Sequence, residues 1–189
     1  MWSVWRARND RQHGKIPINV RAAINWAIDV CINLIPVKEN EEGVRRPTRV
    51  QRWQRPARNA LKVNIDGAFT AEAGSGAAGA VARDSEGSFL MASTRRLPGV
   101  SSALAAEAEA LREGVRLVHS VTTGSVVMET DSLELVSLWS KRAIQRSELA
   151  PVFYDIKELA ASFSSFSVVH ARRSANKAAH VCAKFCCFY

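Results

Sequence analysis

Asp66, Glu107 and Asp131 are the side chains of this 189-residue chain whose types and surroundings could do chemistry together. Glu107 stands three residues after Leu104 and four before Leu111. On a helix that spacing turns its carboxylate toward the covered face, where an uncompensated charge is costly. No arginine or lysine occupies that face at helical spacing, so a bound cation is the natural compensation. Taken singly, the aspartates have structural explanations: Asp66-Gly67 is a common turn pair, and Asp131-x-x-Glu134 is an acceptable capping box. Taken together, three carboxylates suit hard, oxygen-seeking divalent ions, magnesium or manganese and not zinc. Two such ions, about 3.5–4 Å apart, would activate a water and stabilise the leaving oxygen of a phosphodiester. The chemistry to expect is phosphate-ester hydrolysis.

The elements that must bring these residues together can be read from the pattern. LKVNID alternates Leu61, Val63 and Ile65 with polar residues and predicts a strand that ends at Asp66-Gly67. A glycine-studded turn (Gly74, Gly76, Gly79) leads into AAGAVARD, and the Asp84–Gly87 turn leads into SFLMASTRRL, which predicts an antiparallel meander. Residues 102–119 carry Leu104, Ala108, Leu111, Val115 and Val118 on one helical stripe. Gly124 releases a buried strand, SVVMET. A helix from Asp131-Ser132 to Trp139, another from Pro151 to about Phe163, a last strand FSVVHA and a final helix capped by Ser174 follow. The order β-β-β-α-β-α-α-β-α predicts an α/β fold with a mixed five-stranded sheet and helices on both faces. With the meander growing outward from strand one, strands one and four become neighbours and carry their aspartates to the same edge.

Before this domain, assigned to 61–189, the chain has a different character. Residues 18–35 place Val20, Ile24, Ala27, Ile28, Cys31 and Ile35 as one apolar stripe, so 1–37 reads as a basic segment with an amphipathic helix, and 38–60 as an Arg/Pro-rich linker. Residues 1–60 hold 12 Lys/Arg against 5 Asp/Glu, a net of +7, while 61–189 hold 14 against 13, so the overall +8 belongs to the front. Trp53 within the basic run could contact phosphates, although such linkers are commonly just solvated. Charges stand where a signal peptide needs an apolar core, and the stretch Ala22 to Val37 is too short and too interrupted to span a bilayer. The expectation is an intracellular chain, the nucleus included, that is neither secreted nor membrane-bound and is a monomer. Cys31, Cys182, Cys186 and Cys187 lack zinc-site spacing and read as buried or free thiols.

The runs LKVNIDGAF, AVARDSEG, AAEAEALREG, METDS and HARRSANKAAH, with the Gly74/Gly76/Gly79 hairpin, resemble in content and order the ribonuclease H superfamily. The likeness is specifically to the type 1-like domains of plant proteins related to non-LTR retrotransposon reverse transcriptases, and it covers roughly residues 55–187. WSVWRARND and the Trp53-x-Arg55-Pro56 region are similar to the tail and linker that precede this domain in retroelement polyproteins, so a C-terminal piece of a longer protein is expected. The resemblance implies an RNase H-like fold and an endonuclease that hydrolyses the RNA strand of RNA–DNA hybrids with two magnesium or manganese ions. Asp66, Glu107 and Asp131 match the family's first three metal-binding carboxylates. Where many members carry Asn-x-x-Ala-Asp, this chain has Asn176-Lys177-Ala178-Ala179-His180. His180 therefore stands in place of the fourth carboxylate, as a metal ligand without negative charge or as a helix-surface histidine. His170, six residues before Asn176, matches a mobile catalytic histidine, with a structural role as the alternative.

Lys141, Arg142, Arg172, Arg173 and Asn176 complete the expected substrate-binding set, with Arg146 beside the first two. Ala103 and Leu104 occupy positions where bacterial members place asparagines that read RNA 2′-hydroxyls, which weakens hybrid specificity. A second reading follows: a retroelement-derived nucleic-acid-binding domain with little or no catalysis. A third is a protein-interaction role in which the 18–35 helix docks a partner, whose identity is open.

Overall fold

The computed structural model describes residues 52–140 and 147–188. The 1–37 segment and the linker up to residue 51 lie outside the described residues. The elements are β1 (Ala60–Thr70), β2 (Ser75–Arg83), β3 (Phe89–Pro98), α1 (Ala103–His119), β4 (Ser125–Thr130), α2 (Leu133–Ser140), α3 (Ala150–Ala160), β5 (Ser165–His170), a 3-10 turn (Arg173–Ala175) and α4 (Lys177–Phe188). Among the described residues the five strands make one sheet in the order β3-β2-β1-β4-β5. β1 is antiparallel to β2 and parallel to β4, which is parallel to β5. The mixed α/β architecture and the β1–β4 neighbourhood expected from the sequence are both present. No helix among the described residues is long and apolar enough to cross a membrane.

Which face each helix covers follows from the sheet register. Asp66 pairs across the ladder with Gly79, and Gly67 with Ala78, so Asp66 and Gly79 share one face and Gly67 looks out of the other. A Cβ on Gly67 would lie 2.4 Å from the carbonyl carbon of Ala106 in α1, and one on Gly79 would lie 2.5 Å from the amide nitrogen of Ala183 in α4. The two helices therefore press on opposite faces, each resting backbone-to-backbone on a glycine. Alanines let them do so: Ala105, Ala106, Ala108 and Ala110 of α1 and Ala178, Ala179 and Ala183 of α4 are buried. Val63 and Ile65 of β1, Leu111, Val115 and Val118 of α1, Met128 of β4, and Phe153 and Ile156 of α3 are fully excluded from solvent and make the core.

Several local expectations are corrected. β1 does not end at Asp66-Gly67 but pairs with β2 as far as Thr70↔Ser75, so Asp66 is a mid-strand residue and Gly67 serves the approach of α1, not a turn. Of the three hairpin glycines, Gly74 (φ 52°) makes the turn, while Gly76 and Gly79 belong to β2. The final helix starts at Lys177, with the His180 amide donating to the Asn176 carbonyl, and Ser174 belongs to the 3-10 turn before it. Trp53 of the linker lies against the domain, its ring beneath Lys62 Nζ and the Arg83 guanidinium at 5.4 and 5.1 Å. Cys182 and Cys186 are half-buried and are not joined in a disulfide.

Gly79→Ala should lower the unfolding free energy by about 1–3 kcal/mol in a urea titration, because the added carbon must displace the α4 backbone. A change within ~0.5 kcal/mol, the range typical of an unconstrained surface site, would contradict this packing.

Candidate metal centre

Asp66 enters the site from the α4 face of the sheet, and its residue surface is 3% exposed. β4 stops at Thr130, level with Ile65 and five residues short of Thr70, where β1 ends against β2, so beyond Ile65 one edge of β1 lies open. Such crevices at the carboxyl ends of parallel strands are where α/β sheets place their sites. Asp131 follows the last residue of β4, and Glu107 reaches the same place from α1. One carboxylate oxygen from each of the three can be chosen so that all lie within 4.8 Å of one another. The grouping expected from the sequence is thus present.

The alternative role of Asp131 as a helix cap goes to its neighbour. Ser132 Oγ accepts from the Leu135 amide at 3.2 Å, and the Ser132 amide donates to Thr130 Oγ1 at 3.0 Å. Asp131 instead accepts from Arg173 Nε at 3.0 Å, an interaction that also raises the guanidinium's pKa. Thr130 Oγ1 donates to Glu107 Oε2 at 3.3 Å. His180 stands on the first turn of α4, its Nδ1 3.0 Å from Asp66 Oδ2. A pocket of about 220 Å³ opens here, lined by Asp66, Gly67, Phe69, Glu107, Arg173, His180 and Lys184 among others.

Crowded, desolvated carboxyls hold their protons. Glu107 is pushed up to about 8, first by burial and then by the charges of Asp66 and Asp131. Asp66 is also raised, chiefly by burial, with His180 opposing the shift. Arg173 has a side chain 75% exposed and engages Asp131, and among the described residues no cationic side chain pairs with Glu107. A donor set made entirely of carboxylate oxygens, short of positive charge, fits a hard divalent cation.

The other predicted residues fall around this centre in distinct ways. His170 ends β5, exposed and in register with Thr130, one strand over from the cluster. Arg172 is exposed, just before the 3-10 turn. Asn176, expected at the substrate, is fully buried: its Nδ2 donates to the Ile65 carbonyl at 2.8 Å and its Oδ1 accepts from Asn64 Nδ2 at 3.1 Å. That amide, closed off from solvent, ties the start of α4 to β1 beside Asp66. Lys141, Arg142 and Arg146 lie outside the described residues.

Sequence reasoning missed Asn64, Thr130 and Lys184. Asn64 also donates to Glu129 Oε2, and the other oxygen of that carboxylate, Oε1, meets Lys62 Nζ at 2.6 Å, so a buried polar ladder underlies the site. A polar residue two before Asp66 on the same strand face was the available signal for Asn64.

The family model described as "Reverse transcriptase-like" matches residues 64–186. Among solved structures the chain is similar to RNase H1 from the halophilic archaeon Halobacterium salinarum (18% identity, 67% of this chain and 96% of that one, TM-score 0.59). It is also similar to the N-terminal RNase H domain of a Mycobacterium tuberculosis protein (22%, 68% and 93%, 0.61). A third is LC11-RNase H1, solved in complex with an RNA/DNA hybrid (18%, 66% and 94%, 0.57). At these identities the structural likeness establishes the fold. No curated protein matches the chain.

Because Glu107 in the folded, metal-free protein keeps its proton up to about pH 8, whereas the unfolded chain releases it near the reference value of 4.5, stability should fall as pH rises between those values and level off above. Glu107→Gln should flatten that part of the profile and make the metal-free protein the more stable of the two above pH 8. Thermal melts of both proteins in chelator across this range read the difference, and parallel profiles would contradict the shift.

Proposed function

The chain belongs to the reverse transcriptase-like family and has the ribonuclease H fold, and on that footing we propose that it is a divalent-metal-dependent endonuclease that hydrolyses the RNA strand of RNA–DNA hybrids. The observation that carries this reading is the convergence of Asp66, Glu107 and Asp131 in a desolvated pocket where, among the described residues, no cationic side chain pairs with Glu107. Magnesium or manganese, two ions in this reading, supplies when bound the activation of water and the neutralisation of charge at a phosphodiester.

The chain's own residues do the rest. Asp66, Glu107 and Asp131 would hold the metal, with Thr130 fixing the orientation of Glu107 through its hydroxyl. Glu107 releases its proton as the cation arrives. Arg173, mostly exposed and bonded to Asp131, would offer its guanidinium to a phosphate oxygen of the substrate. In this reading His170, exposed on the strand next to β4, serves as proton shuttle and the exposed Arg172 contacts a phosphate.

A second reading has its own observation. His180 Nδ1 sits 3.0 Å from Asp66 Oδ2, so a neutral or positive group occupies a flank of the cluster where a further carboxylate would add charge. With metal affinity lowered in this way, the domain would bind nucleic acid and cut it slowly or not at all.

Purified protein should cleave a labelled RNA–DNA hybrid in magnesium or manganese, and Asp66→Asn should lower the rate at least ~100-fold, as loss of a group central to transition-state stabilisation does. His180→Asp should raise the rate at low metal concentration. Binding of the hybrid without cleavage in either metal, with activity appearing in His180→Asp, would replace the first reading by the second.

A further inference from the structure

The domain's positive charge is not evenly spread. Residues 61–170 carry 10 Lys/Arg against 13 Asp/Glu, whereas 171–189 carry 4 against none. Arg172 and Arg173 precede α4. The remaining two, Lys177 and Lys184, lie on α4 with His180 between them, at spacings of three and four residues that put all three on one helix face. The opposite face, with Ala178, Ala179 and Ala183, is buried against the sheet. Lys177 and Lys184 are exposed, and among the described residues no carboxylate pairs with either. Lys184 also lines the pocket that contains Asp66, Glu107 and His180.

Exposed lysines on a helix are usually just solvated, and three features set this stripe apart. Among the described residues neither lysine has an acidic partner, and the carboxylate bonded to the stripe is that of Asp66, at His180, in contrast to α1, whose Arg112 is bonded to Glu109 and Asp155. It is continuous with Arg173, which already reaches into the acid cluster. Its far end opens into the pocket itself, where a polyanion would otherwise be repelled by Asp66, Glu107 and Asp131.

We propose that the α4 face carrying Lys177, His180 and Lys184 is a track for the phosphate backbone of a nucleic-acid strand, which it leads into the pocket beside the carboxylates. From Lys177 to Lys184 the helix rises about 10 Å at ~1.5 Å per residue. That matches about three nucleotides of a strand at ~3.4 Å each along a duplex axis. The two lysines thus meet separate phosphates and carry no sequence preference. This inference rests on nucleic acid being the ligand, as proposed above, but not on its being cut.

The test is fluorescence anisotropy with the full chain and a labelled RNA–DNA hybrid in chelator, so that no cleavage intervenes, over a range of potassium chloride concentrations. Lys177→Gln/Lys184→Gln should reduce the slope of log affinity against log salt by about 2, close to one unit per lost phosphate contact. Lys177→Arg/Lys184→Arg should keep the wild-type slope, and the thermal melt should be unchanged in both. Lys157→Gln, on α3, serves as the control for net charge and should not alter the slope. An unchanged slope in the glutamine double variant, an equal per-charge loss in the control, or no binding by wild type would each overturn the proposal. A reduced slope in a protein that does not cleave would sustain the track and remove the nuclease reading, while cleavage with an unchanged slope would do the reverse.

Discussion

Three acidic groups held within a few ångströms of one another, out of bulk water, repel each other and lose hydration together. That electrostatic cost is the constraint on which the rest of the structure depends. A protein can carry it in few ways: by keeping a proton, by recruiting its own cations, or by binding a metal ion. In this domain the first two are visible and partial. Glu107 retains a proton to about pH 8, and Arg173 and His180 each attend one aspartate from the side. The arrangement is poised for a charge that the chain does not itself supply.

Rigid surroundings keep the carboxylates from moving apart. α1 and α4 sit on opposite faces of the sheet, each seated on a glycine of the β1–β2 ladder, and β4 ends where the site begins. Asn176 is a fixed point between the two residues that steer the aspartates: Arg173 lies three positions before it and His180 four after. With its amide bonded to the Ile65 carbonyl and to Asn64, rotation of α4 would break buried hydrogen bonds. Lys62, Glu129 and Asn64 continue this ladder away from the site toward Trp53, so part of the segment that reads as linker belongs to the domain's packing.

What could be seen in the sequence was what periodicity and residue chemistry encode. Alternation in LKVNID and the stripe of 102–119 located β1 and α1, and the placement of Glu107 on a covered helix face disclosed a charge needing an answer. Three things were hidden because they depend on partners distant in sequence. The β1–β2 ladder runs past Asp66, which a turn-forming Asp-Gly pair disguises. Asn176 looks like a polar residue free for substrate, and its burial is set by Asn64 and Ile65, more than 100 positions away. Capping by Ser132, with Asp131 left to Arg173, turns on which of two adjacent side chains faces the helix, which the Asp131-x-x-Glu134 spacing does not disclose.

The central claim is that Asp66, Glu107 and Asp131 form one site for a divalent cation that takes the place of a proton. Calorimetric titration of manganese at neutral pH, repeated in two buffers of different ionisation enthalpy, counts the protons released on binding. The account predicts binding accompanied by release of a proton, the release fading above about pH 8 and disappearing in Glu107→Gln. No manganese binding, or binding with the same proton count after Glu107 is replaced, would contradict it.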